Sequence, residues 1–208
     1  MSDNMTIQTA MDALYGVDVE ARATAINTLA EHQHVPAVGK MADLLPDVDP
    51  GTRYLIVKAL GKIAHNDAAE ALLNAIRWDD IWTRAAATEA LIRIGSAEAI
   101  DGLILALEDS NKAVRRAAAK AIGKIGAQND TQRPTMVRGL SKALLDVDKG
   151  VRRFAAEALG RVHAEGKVEE LTVTLSDANP EVRIAAFRAL AEIDTPAARS
   201  AVRQWAKE

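Results

Sequence analysis

The stretch that decides the fold is DSNKAVRRAAAKAIG, Asp109 to Gly123. It recurs as DVDKGVRRFAAEALG, Asp146 to Gly160, and again around Arg183, Arg84, Arg53 and, more faintly, Arg22. The six arginines stand at 22, 53, 84, 115, 152 and 183, so the spacings are 31, 31, 31, 37 and 31. A fixed period of this length is the mark of a repeat array, in which each unit is one supersecondary element.

Other columns keep step with the arginine. Four residues before it stand Asp18, Asp49, Asp80, Asn111, Asp148 and Asn179, all residue types that cap helix N-termini. Six before it stand Asp47, Asp109, Asp146 and Asp177, with Trp78 in place of the fifth. Three after it stand Ala25, Ile56, Ala87, Ala118, Ala155 and Ala186. Seven after it stand Leu29, Leu60, Leu91, Ile122, Leu159 and Leu190. Offsets +3, +7 and +10 trace one apolar helix face.

Each period therefore predicts two helices. The first is amphipathic, as in Ala97 to Leu107. The second runs from about two residues before the arginine to about ten after it. Gly95 and Gly126 are expected to end second helices, and Pro50 and Pro180 to open them. A last helix is expected over Ala197 to Ala206, and a longer loop over Ala127 to Pro134. One pair cannot bury its own apolar face, so pairs must stack. The expected fold is all-α, an α-α superhelix over residues 1–208 as one solenoid, with about six helix pairs plus a C-terminal helix.

Composition agrees. Ala supplies 41 of 208 residues and aromatics only seven, which favours closely packed helices over strands. There is no cysteine, which removes disulfides, thiolate metal sites and a cysteine nucleophile. No apolar run approaches the ~18 residues of a membrane span, and the polar segment Met1 to Ala10 does not read as a signal peptide. A cytoplasmic location is expected. The net charge of −3 disfavours general nucleic-acid binding, which needs a basic surface.

Asp six residues ahead of Arg, in a two-helix repeat of about 31, resembles the HEAT repeat. The Ala-rich form V-R-R-A-A-A-x-A-I/L-G resembles the phycobilisome-lyase type of HEAT-like repeat, and Trp82, two residues before Arg84, fits that type. Arg84 to Gly123, followed by a longer linker before Val151-Arg152-Arg153-Phe154-Ala155-Ala156, is similar to the F-type subunit of E/F-type phycobilin lyases. That resemblance implies a chain that positions an open-chain tetrapyrrole for thioether attachment to a phycobiliprotein cysteine. It implies a phycobilin as substrate, no covalently bound cofactor, an E-type subunit as heterodimer partner and a phycobiliprotein subunit as acceptor. The alternative is a non-enzymatic scaffold for protein–protein interaction. A third reading, a HEAT-like DNA-repair glycosylase, conflicts with the acidic charge balance.

The Arg and Asp columns read as an internal ladder, because they are what the repeats share. Function is sought where repeats differ. The second-helix stripe at +1, +5 and +9 from the arginine carries a net +5 in a chain of −3, so positive charge is sorted onto one face. Such a face attracts anions and acidic partners. With the expected superhelix this stripe lines the concave surface, and the candidate residues on it are Tyr54, Lys58, Glu89, Arg116, Lys120, Arg153 and Glu157. Trp78 and Trp82 join them as indoles near one turn, able to stack on a conjugated ligand or to anchor a partner. No catalytic residue is singled out. Glu89 or Glu157 could move a proton in the lyase reading. Of the four histidines, His32 and His34 lack a nearby third ligand, and no metal site is expected.

Overall fold

The computed structural model describes residues 6–78, 80–95, 99–127 and 131–207. The chain divides into two compact units, one ending at Ala99 and the other beginning at Ile100. The first unit holds α1 (Ile7–Ala13), α2 (Val19–Glu31), α3 (Ala37–Leu44), α4 (Pro50–Ile63), α5 (Ala69–Ala75) and α6 (Ile81–Ile94). The second holds α7 (Ile100–Ala106), α8 (Lys112–Gly126), α9 (Arg133–Ala143), α10 (Lys149–Arg161), α11 (Val168–Thr174), α12 (Pro180–Ile193) and α13 (Pro196–Trp205). Among the described residues every regular element is helical.

Within each unit the long second helices stack in sequence order. In the first unit α2 packs on α4 and α4 on α6. In the second, α8 packs on α10 and α10 on α12, while α13 lies against α12. The two apolar columns of the repeat form the core of both stacks. Every residue at +3 and every residue at +7, from Ala25 and Leu29 to Ala186 and Leu190, is completely buried.

The caps form as the residue types require. Asp18, Asp49, Asp80, Asn111, Asp148 and Asn179 each stand in extended backbone and accept a backbone N–H from the first turn of the following helix. Pro50 and Pro180 occupy the first helical position, where no N–H is needed. Gly95 ends α6 in the left-handed region at φ 72°. Gly126 does not act as a stop. It is the last residue of α8 and is buried beside Met136 and Val162, where a side chain would collide. The loop expected over 127–134 is shorter, because Arg133 and Pro134 already open α9. Its residues 128–130, and Ala97 at the start of an expected first helix, lie outside the described residues.

The arginine column braces the turns. Arg22, Arg84, Arg115, Arg152 and Arg183 each donate to the carbonyl six residues earlier, at Gly16, Trp78, Asp109, Asp146 and Asp177. Arg53 instead reaches the Val48 and Leu45 carbonyls. In the second unit the same side chains also bridge repeats. Arg115 makes two bonds to Asp146, at 2.7 and 2.9 Å. Arg152 makes two to Asp177, at 2.7 and 3.0 Å. Bidentate charge-assisted pairs fix geometry as well as energy. Here they lock each second-unit repeat to the next.

A second joint is steric. Gly61, Gly123 and Gly160 lie eight residues after their arginines. A methyl at those positions would come within 3.0, 2.9 and 2.7 Å of the Cα atoms of Ala90, Ala158 and Ala189, respectively, on the next second helix. The backbones approach as closely as a missing Cβ permits.

Three outcomes follow. Asp177→Ala leaves the shielded Arg152 guanidinium without its carboxylate, and urea denaturation should show a loss of about 3 kcal/mol. Gly123→Ala should destabilise by about 1–3 kcal/mol, because overpacking outweighs the gain in helix propensity. Gly39→Ala, where a Cβ meets nothing within 4 Å, should instead stabilise by about 0.5 kcal/mol.

A fourth outcome concerns acid. Asp148 accepts two bonds from Arg116, at 2.6 and 2.5 Å, which hold its carboxyl at about 2 against an ordinary 3.8. Asp177 is lowered too, first by Arg152. The unfolded chain therefore takes up these protons first as pH falls. The stability they contribute is complete above about pH 4 and is lost as pH falls through about 2. The stability difference between the native chain and Arg116→Met, measured by denaturation at a series of pH values, should shrink across that window.

Candidate functional site

The expected stripe does not behave as one open surface. In the first unit Lys58 lies over the half-buried Tyr54 ring, with its ammonium 5.3 Å from the centroid. Glu89 is exposed on α6. Trp78 and Trp82 differ sharply in environment. Trp82 is 72% exposed in the first turn of α6. Trp78 is partly covered, because the Arg53 guanidinium stacks 4.4 Å from its ring centroid. Position 78 is the column that holds Asp in the repeats of the second unit. Where Arg115 and Arg152 find a carboxylate on the next repeat, Arg53 finds an indole face, a cation–π contact in place of an ion pair.

A hollow lies beside that contact. Trp78 lines an open cavity of about 630 Å³ together with Pro46, Pro50, Arg53, Arg77 and Asp80. Trp82 is not among its walls, so the two indoles do not share one site. Beyond Pro46 the hollow adjoins a groove between α3 and α5. Reading the repeats by their second helices passes over this groove, which is built by first helices. The signal for it in the sequence was Trp78, which breaks the run of Asp six residues before the arginine.

In the second unit the candidates separate into fixed and free cations. Arg116 is committed to Asp148, the N-cap of the next second helix. Arg153 lies flat on Phe154, 4.3 Å from the centroid, with Glu157 at 3.8 Å. Both were expected as binding residues, and both have partners within the chain. Lys120 is exposed on α8, and the next residue of its stripe, Lys124, is exposed as well. On α10 and α12, Arg161 and Arg188 are exposed and line a shared cleft of about 180 Å³ with Glu157 and Glu192. The open cationic face is therefore Lys120, Lys124, Arg161 and Arg188, further along the helices than the +1 positions.

Charge is divided between the units. Residues 1–99 carry 8 Lys and Arg against 14 Asp and Glu, whereas residues 100–208 carry 18 against 15. The first unit is thus −6 and the second +3. Among the described residues no three His, Asp or Glu side chains cluster as a metal site, and no helix is long and apolar enough to cross a membrane. Trp205 and Phe187 are structural. Trp205 donates its indole N–H to the Leu175 carbonyl and packs 5.2 Å from Phe187, centroid to centroid.

Comparison with solved structures places these features on a known fold. An engineered protein matches 94% of this chain and 97% of its own length at 24% identity, with a TM-score of 0.69. The complex of CpcE and CpcF of phycocyanin lyase from Nostoc sp. PCC7120 matches 94% of this chain and 80% of its own at 22% identity, with a TM-score of 0.64. A designed armadillo repeat protein in complex with the peptide (KR)4 matches 90% of this chain and 99% of its own at 20% identity, with a TM-score of 0.70. At these identities the likeness is one of fold. No curated protein sequence matches the chain. The family model for HEAT repeats matches residues 7–92, 69–138 and 137–208. With its two-helix period, its Arg–Asp joints and that match over nearly its whole length, the chain belongs to the HEAT-repeat family.

Proposed function

We propose that this protein is a non-catalytic HEAT-repeat scaffold whose second unit holds an acidic partner protein. The observation that carries this reading is the sorting of its cations. Most ladder arginines are bound to carbonyls, carboxylates or rings, yet Lys120, Lys124, Arg161 and Arg188 remain exposed on the stacked second helices. An excess of exposed positive charge on a stack of helices raises the local concentration of the opposite charge and speeds association.

A second reading is supported by the repeat type and by the likeness to the CpcE–CpcF structure. In it the chain is a subunit of a phycobilin lyase or a chaperone-like relative. It would pair with an E-type subunit and serve a phycobiliprotein acceptor. The free cations Lys120, Lys124, Arg161 and Arg188 would then take the propionates of an open-chain tetrapyrrole, since Arg116 and Arg153 are already engaged. Catalysis would be positioning of the tetrapyrrole beside the acceptor thiolate. Trp82, exposed on the first unit, would offer a ring face to partner or pigment. The scaffold reading is preferred because it needs only the exposed charge, whereas the lyase reading also needs a pigment, an E-type partner and an acceptor.

The two readings separate in one experiment. A fluorescein-labelled deca-glutamate peptide is titrated into the full chain, and a phycobilin is titrated in parallel by absorbance. The scaffold reading expects the peptide to bind and Lys120→Glu/Lys124→Glu to weaken it at least tenfold, with Arg203→Glu nearly neutral. It expects no shift of the pigment band. A red-shifted, sharpened pigment band, followed by transfer to an apo-phycobiliprotein in the presence of an E-type subunit, would establish the lyase reading instead.

A further inference from the structure

The groove beside Trp78 has the opposite electrostatics from the face just described, and it stands on observations independent of that reading. Its floor is small and apolar. Ala42 and Leu45 from the α3 side, Ala71 from α5 and the Trp78 indole line it, and Gly39 leaves its edge open. Its charged walls are Asp43, Asp67 and Glu70, all exposed, and no Lys or Arg lines it. Asp67 has a weak neighbour in His65, at 3.4 Å. The groove encloses about 340 Å³ and adjoins the larger hollow at Pro46 and Trp78.

The groove has a counterpart between α7 and α9 that encloses about 170 Å³ and holds Asp146 where Trp78 stands. In the second unit the Arg–Asp pairs draw consecutive turns together, and Asp146 and Asp177 are almost fully shielded. At position 78 an indole stacked by Arg53 replaces the carboxylate, and the groove beside it is the larger of the two, at about 340 Å³. Three carboxylates around an apolar floor suit a side chain with a long methylene stem and a cationic head. Lys and Arg lay their stems on apolar surface while the charged group reaches a polar rim. The first unit as a whole is −6, which steers cations toward it.

We infer that the α3–α5 groove of the first unit is a docking site for a Lys/Arg-rich peptide segment of a partner protein. One basic side chain lies across Ala42 and Ala71 toward Trp78. Its head and its neighbours pair with Asp43, Asp67 and Glu70. The surface is distinct from the cationic face of the second unit, and the two take ligands of opposite charge.

The test uses the full chain and a fluorescein-labelled octa-arginine peptide, followed by anisotropy, with an uncharged Gly/Ser octapeptide as the control. Octa-arginine should bind at low salt. Asp43→Asn/Glu70→Gln should weaken it at least tenfold. Asp12→Asn/Glu31→Gln removes the same charge from the first unit away from the groove and should change affinity less than twofold. Gly39→Lys places a cation at the open edge without a steric clash and should also weaken binding at least fivefold. Circular dichroism melts confirm that each variant is folded. Equal losses from the groove pair and the distant pair would overturn the proposal, because binding would then follow net charge alone. So would an unchanged affinity in Gly39→Lys. Sedimentation that shows a dimer dissolved by Asp43→Asn/Glu70→Gln, with no peptide binding, would assign the groove to a second copy of the chain and overturn it as well.

Discussion

The reach of one arginine per repeat organises this protein. Its guanidinium closes its own inter-helix turn through a carbonyl and, in the second unit, grips the aspartate of the next repeat with two further bonds. A planar fork with five donors can serve both partners at once, which a lysine cannot. The aspartate is shielded but satisfied, since it also accepts the N–H two residues on, as Asp146 does from Asp148 and Asp177 from Asn179. Turn, cap and inter-repeat joint are therefore one hydrogen-bonded assembly. The apolar columns supply the bulk of the burial, and this assembly sets the register in which they meet.

The steric joint complements it. In the second unit ion pairs act at the turn ends, while Gly123 against Ala158 and Gly160 against Ala189 act further along the second helices. Fixing a helix pair at two separated points restrains both sliding and rocking. The abundance of Ala follows from this geometry, because bulkier residues at the +6 positions would push the axes apart. Aromatic residues are correspondingly few and lie at edges: Trp78 at an altered seam, Trp205 against α12 and Leu175.

Much of this was legible before any coordinates. The arginine period gave thirteen helices, and six Asp or Asn residues at one offset gave six N-caps, because both signals are local and repeated six times. Gly126 was misread because glycine has two uses, and the sequence does not say whether it ends a helix or admits a neighbour. The candidate site was legible only in part. Offsets of four place Arg116 and Lys120 on one helix face, yet they cannot report that Asp148 stands within reach of the first and not the second. Ion pairing between repeats separated by 32 residues is a tertiary fact. The first-helix groove escaped because its acidic walls recur at no matching position: Thr135 and Arg138 stand in the second unit where Asp67 and Glu70 stand in the first. Only the exception at Trp78 pointed toward it.

The joints have an evolutionary consequence. Arg, Asp, Gly and Ala stand at set columns, so one repeat brings both halves of the joint, the half offered forward and the half offered back. A duplicated copy would fit against its parent with no compensating change, and length could grow by copying. A point change such as Trp78 alters a single seam and leaves its neighbours intact. Novelty in such a chain enters seam by seam, on a frame that tolerates it.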